Sequence, residues 1–208
     1  SGDIVKQKSG DSVLFHKRAK SHYNANFSLS LPENRYVDVF LRAQTSGSLQ
    51  MPLVLLTESQ FNENSHHNQM IFGFYYGMLF SMLLYNFLIY LSIRDINYLY
   101  YVAYIASYGL FQFSLNGLAY EYLWPESPWW NNRSTSALTA FGMFFILIFS
   151  RSFLQLRVHA PLLNKILLGL MFYFVVILAI SLILPYRYVI PLATAGAFVA
   201  AITIMLSG

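Results

Sequence analysis

Five stretches of this chain carry no Asp, Glu, Lys or Arg: Met70 to Ile93, Ile96 to Tyr120, Ser134 to Ser150, Ile166 to Pro185, and Tyr188 to the chain end. A window of about 18 or more apolar residues is the signature of a helix that crosses a bilayer. Met70 to Ile93 is the clearest, being apolar on every face, and it stops at Arg94-Asp95. Ile96 to Tyr120 carries Asn97, Gln112 and Asn116 and is expected inside a bundle, away from lipid. Spans are therefore expected near 70-93, 97-119, 134-150, 166-185 and 188-208.

The charge count agrees with this division. Residues 1 to 68 hold seven Lys or Arg and six Asp or Glu, which leaves six and three for the remaining 140 residues (13 − 7 and 9 − 6). The chain is 56% hydrophobic and 11% charged, against about 45–50% and about 25% for an ordinary soluble domain, so an ordinary soluble protein is not expected. No basic run outlasts Lys17, Arg18 and Lys20, so the net charge of +4 belongs to span ends, and a nucleic-acid partner is set aside. The end at Met205 to Gly208 falls within an apolar run and the start lacks a signal core, so a fragment of a longer protein is expected.

Short cytoplasmic loops accumulate Lys and Arg. Loops one and three hold Arg94, Arg151, Arg157 and Lys165, whereas loops two and four hold Arg133 and Arg187. Loop two is instead rich in Tyr122, Trp124, Trp129 and Trp130, residues suited to the headgroup interface. This places residues 1 to 68 outside. The aromatic loop is expected to anchor the bundle, with a ligand platform as the alternative.

Residues 1-65 read as the strands of a small outer sheet, part of an all-β domain. Phe27 to Leu31 alternates strictly, Val37, Val39, Leu41 and Ala43 line one face of a second run, Leu49 to Thr57 forms a third, and Val13-Leu14-Phe15 an earlier one. Turns are expected at Pro32-Glu33-Asn34 and Ser46-Gly47, and Glu58 to Asn68 reads as a polar linker. Its His66-His67 pair is better explained by solvation than by a metal site, which would need further ligands.

Catalytic chemistry has little to stand on. There is no Cys, none of the five His falls in a proposed span, no ionisable carboxylate or cation does either, and Gly109 and Gly117 are too isolated for a phosphate loop. No catalytic residue, metal ligand or cofactor is expected. Asn86, Gln112 and Asn116 are candidates for interhelical hydrogen bonds, with a switch or ligand contact as the alternative, and Gly73 and Gly77 have a spacing that allows close helix approach. Sequons at Asn26 and Asn132 matter only in a glycosylating host.

The residues Gly73-Phe74-Tyr75-Tyr76-Gly77-Met78, Tyr85 to Asp95, Tyr98-Leu99-Tyr100-Tyr101, Asn116 to Pro125 and Arg151 to Leu156 together resemble the bacterial seven-transmembrane receptors with diverse intracellular signalling modules. Tyr36 to Arg42 and Met51-Pro52-Leu53 resemble the end of that family's extracellular jelly-roll domain. The resemblance implies a polytopic α-helical bundle in the bacterial cytoplasmic membrane, preceded by part of an all-β jelly-roll-like domain. It implies a receptor that couples a carbohydrate or other small extracellular ligand to a diguanylate cyclase, histidine kinase or phosphatase module in cis. The expected partners are the lipid bilayer, that ligand, that effector domain and a second copy of the chain. The rival reading is a transporter or channel component for a neutral solute, with Gln112, Asn116 and the tyrosine-rich second span lining a path.

Overall fold

The structure, a computed structural model, describes residues 6–20, 22–31, 37–45 and 51–207. Seven helices follow a largely extended N-terminal segment: α1 (Glu58–Ile93), α2 (Ile96–Leu115), α3 (Leu118–Tyr122), α4 (Pro128–Phe153), α5 (Leu156–His159), α6 (Pro161–Ile183) and α7 (Tyr186–Ser207). Four of them, α1, α4, α6 and α7, are long and apolar enough to cross a membrane. α2 is less apolar and packs against both α1 and α4, so the order across the bundle is α1, α2, α4, α6, with α7 against α4 and α6.

Local sequence sets the helix ends. Thr57 and Gln60 form a reciprocal capping box, Thr57 Oγ1 accepting from the Gln60 amide at 3.3 Å and Gln60 Oε1 from the Thr57 amide at 3.1 Å. The polar segment Glu58 to Asn68 is consequently the first three turns of α1 and not a linker. At 1.5 Å per residue the 36-residue helix is about 54 Å long, so it extends well beyond a ~30 Å hydrocarbon core. Arg94 at φ 60 ends it, and Asp95 caps α2 by accepting from the Asn97 amide at 2.9 Å. Pro128 and Pro161 open α4 and α6 from the first turn, where a missing N–H costs nothing.

The centre of the bundle lies on α4, α6 and α7, where Ala140, Leu147, Leu167, Phe174, Val189, Ala193 and Ala200 are fully buried. Close approach there relies on small side chains: a Cβ on Gly196 would overlap the Tyr173 ring. Gly73 and Gly77 have no such role, since a Cβ on either would meet nothing within 4 Å. Their spacing matches the close-packing pattern, but α1 presents them away from its neighbour.

No strand forms among the described residues. Residues 22–31, 37–45 and 51–57 are not assigned as strands, and Phe27, Leu29, Leu31, Val37, Val39 and Leu41 are all exposed. Alternation encodes two faces, but a strand also needs a neighbour whose backbone it can pair with. Val13-Leu14-Phe15 is not a strand either, because Phe15–Lys17 is a single 3-10 turn. The expected turns at Pro32-Glu33-Asn34 and Ser46-Gly47 lie outside the described residues.

Candidate functional site

The N-terminal segment docks on one end of the bundle. Its contacts are with the start of α1, with the break between α2 and α3, and with the loop that precedes α4. The break itself is set by Asn116 and Gly117: the Asn116 amide donates to Gln112 O at 3.0 Å, and Gly117 turns the chain at φ 75 into α3. A Cβ on Gly117 would stand 2.8 Å from the Tyr23 carbonyl oxygen, so the position needs glycine for both its backbone angle and its neighbour.

Around this turn the segment is held by several independent bonds. Tyr120 Oη donates to Val13 O at 2.7 Å, and the Phe15 amide donates to Pro125 O at 3.3 Å. Phe15 meets the buried Tyr120 ring edge-on at 5.9 Å. The Arg18 guanidinium lies 4.7 Å from the Tyr120 centroid and 5.1 Å from that of Phe15, and its side chain is only 2% exposed. Its Nη1 donates to His22 O at 3.2 Å and its Nη2 reaches Asp11 at 3.4 Å. On the α1 side, His22 stacks on Tyr23, contacts Phe61 and bonds Ser65 Oγ at 3.3 Å, while Asn68 Nδ2 donates to Tyr23 Oη at 3.3 Å. His16 pairs with Glu126 at 3.2 Å on the exposed rim.

Two titratable groups lie at this contact, and their surroundings shift both. Burial holds His22 below its ordinary value, with the nearby Lys20 acting in the same direction and a backbone bond to Asn24 opposing both. Burial pushes the Glu121 carboxyl up, against the pull of Tyr122, Arg18 and the Tyr23 backbone.

The residues singled out from the sequence divide between this end and the interior. Asn116 Nδ2 donates to Tyr76 Oη at 2.8 Å, which ties the α2–α3 break to α1. Gln112 Nε2 donates to Tyr108 Oη at 3.1 Å, within its own helix. Asn86 is not interhelical in its bonding, because its Nδ2 donates to Met82 O at 2.8 Å on the turn below. It also lines a shallow cavity with Asp95, Asn97 and Phe149 at the opposite end. Trp124 Nε1 donates to Asn131 Oδ1 at 3.2 Å and packs on Trp130, which stacks on Trp129. Arg133 covers Trp129 at 4.6 Å and reaches Ile183 O at 3.4 Å, fastening the loop before α4 to the end of α6. Tyr122 stands 6.3 Å from Phe113 on α2. His66 and His67 occupy consecutive, exposed positions on α1, and no group of three metal-ligating side chains gathers among the described residues.

One feature was absent from the sequence reading. Ser114 on α2 and Ser134 on α4 are buried and share a hydrogen bond of 2.7 Å, with Thr135 at 3.4 Å. The signal was the recurrence of small hydroxyl residues at Ser107 and Ser114, seven apart on one helix face, opposite the Ser134-Thr135-Ser136 run. Together with Asn116, Ser114 makes the last turn of α2 a junction between α1, α4 and the docked segment.

The family model described as 7TM diverse intracellular signalling matches residues 68–208. A second, described as 7TMR-DISM extracellular 2, matches residues 1–57. No curated protein and no solved structure matches the chain.

Proposed function

We propose a sensory and transmitting role from one premise: this chain belongs to the 7TM diverse intracellular signalling family. It is a multi-pass membrane protein with the character of a receptor. In our reading it sits in a bacterial cytoplasmic membrane with its N-terminal segment outside, has no catalytic activity of its own, and passes an outside signal to a cytoplasmic cyclase, kinase or phosphatase module in cis.

The observation that supports this reading best is the docking of residues 13–20 and 22–23 on the α2–α3 break. A carbohydrate or other small ligand held by the extracellular part, which has jelly-roll character in this proposal, would alter the position of that segment. Gly117 and Tyr120 feel the change first. From them it passes to α1 through Asn116 and Tyr76 and to α4 through Ser114 and Ser134. A ligand shifts this equilibrium only by its difference in affinity for the two arrangements. A second copy of the chain would let the two bundles move together.

The test is hydrogen exchange on the whole chain in nanodiscs, with and without a panel of neutral mono- and disaccharides. Protection should change together in residues 6–26 and 112–124. A change in the first without the second would sink the coupling, and saccharide-specific uptake into liposomes would assign the chain to transport instead.

A further inference from the structure

At the end opposite the docked segment, α2, α4 and α5 border an open cavity of about 380 Å³ whose walls include Tyr100, Arg151, Ser152, Gln155, Arg157 and Val158. This is within the ~300–1,000 Å³ range of ligand-holding clefts. We propose that this cavity is a phosphate site, filled in the membrane by the headgroup of an anionic phospholipid.

Charge is the first argument. After Asp95 the chain has only two carboxylates, Glu121 and Glu126, and both lie at the other end of the bundle. Arg94, Arg151, Arg157 and Lys165 therefore share one end of the helices with Asp95 as the carboxylate of the loop joining α1 and α2. Neither arginine makes an ion pair among the described residues. Arg151 spends its Nε on Asn164 Oδ1 at 2.7 Å, which fixes the guanidinium and leaves both Nη groups for a guest. A guanidinium presents a planar fork that matches phosphate oxygens, and two forks on one cavity suit a phosphodiester better than a lone carboxylate.

The backbone supplies the second argument. Gln155 adopts the left-handed conformation at φ 49 and its carbonyl accepts from the amides of Val158 and His159 at 2.9 and 3.3 Å. This turn starts α5, whose second residue, Arg157, lines the same cavity as Arg151 on α4. Leu156 on the same short helix is buried, while Val158 on the cavity wall is 78% exposed and Ile148 adds a second apolar wall residue. Apolar side chains standing free beside a basic cavity at a helix end suit acyl chains and headgroups, as basic pockets between membrane helices do. The hydroxyls of Tyr100 and Ser152 add donors for the remaining phosphate oxygens.

The experiment is native mass spectrometry of the full chain released from detergent with phosphatidylglycerol, with phosphatidylethanolamine, or with sn-glycerol 3-phosphate and no lipid. Phosphatidylglycerol should be retained over phosphatidylethanolamine, and Arg157→Gln should lower that retention by about tenfold, the loss expected for one charge-assisted bond pair. Arg157→Lys should restore part of it. Lys165→Gln removes a charge from the same end without touching the cavity and should change retention by less than about twofold. Glycerol phosphate bound with the same Arg157 dependence would keep the phosphate site and make its guest a soluble phosphate. Equal retention by wild type and Arg157→Gln, or an equal loss in Lys165→Gln, would reduce the end to a diffuse basic surface and overturn the proposal. Arg157 is exposed, so its replacement leaves the fold intact, and unchanged thermal stability of the variant confirms that reading.

Discussion

The carbonyl oxygen of Tyr23 stands 2.8 Å from where a Cβ on Gly117 would lie, although the two residues belong to different parts of the chain. Because the obstructing atom is backbone, no side-chain rotation relieves the overlap. Gly117→Ala also places a Cβ at φ 75, which costs an L-residue about 1–2 kcal/mol. The expected result is release of residues 13–23, seen as lost amide protection at Phe15. Asn tolerates that backbone angle but keeps the Cβ, so Gly117→Asn should release the segment too. Full protection in both variants would sink the docking.

Asn116 and Tyr76 give a sharper test of the interior. Their 2.8 Å bond joins two helices, whereas the Asn86 bond stays within one. Tyr76→Phe and Asn116→Leu should each destabilise the bundle by about 0.6 kcal/mol and at most ~2, and the double variant should cost less than the sum. Asn86→Leu should fall within ~0.5 kcal/mol of wild type. Denaturation in mixed micelles measures all four, and additive single effects would show that the bond carries no coupling.

Four of the five expected spans fall on helices long and apolar enough to cross a membrane, because hydrophobicity and charge exclusion are properties of the sequence itself, whereas α2 is not among those four, and α4 and α6 begin at Pro128 and Pro161, ahead of the expected 134 and 166. The α1 start at Thr57 was equally local, but the polarity of Glu58 to Asn68 masked a capping box that sits in plain sequence. The three candidate amides were not separable in advance. Whether Asn86, Gln112 or Asn116 reaches another helix depends on which face each presents, and only the packing fixes that. The docking of Val13, Phe15 and Arg18 on Tyr120 joins residues more than a hundred positions apart, and no periodicity reports such a contact.

Acidification should loosen the docked segment through His22. Released, His22 titrates near its ordinary 6.5; docked, its value is lower, so the released state binds more protons between the two. Docking is therefore intact above 6.5, weakens as pH falls through that value, and stops weakening below the docked value. Glu121 acts in the opposite sense, because its raised carboxyl takes up a proton more readily when docked and supports docking as pH falls toward 4.5. His22→Gln keeps a partner for Ser65 and removes the first effect. The protection of residues 13–23 at pH 7 and pH 5.5, compared between wild type and variant at each pH, isolates it, and an identical pH response in both would show that His22 is not the sensor.

The proposed sidedness rests on the basic residues of the loops and on the extracellular family model. In the proposed orientation the basic residues Arg94, Arg151, Arg157 and Lys165 face the cytoplasm, while Trp124, Trp129 and Trp130 gather at the other end, where aromatic rings suit a headgroup interface. The N-terminal segment, matched by an extracellular family model, docks on the tryptophan end. The chain has no native Cys, so single replacements report without background. Ser127 and Val158 are both exposed, one at each end, and Val158 is a better choice than the neighbouring Gln155, whose left-handed backbone a Cys would strain. In intact cells an impermeant maleimide should label Ser127→Cys and leave Val158→Cys unlabelled until the membrane is opened. The reverse pattern would put the docked segment inside, and a receptor for an outside ligand could then not work through the Tyr23 and Gly117 contact.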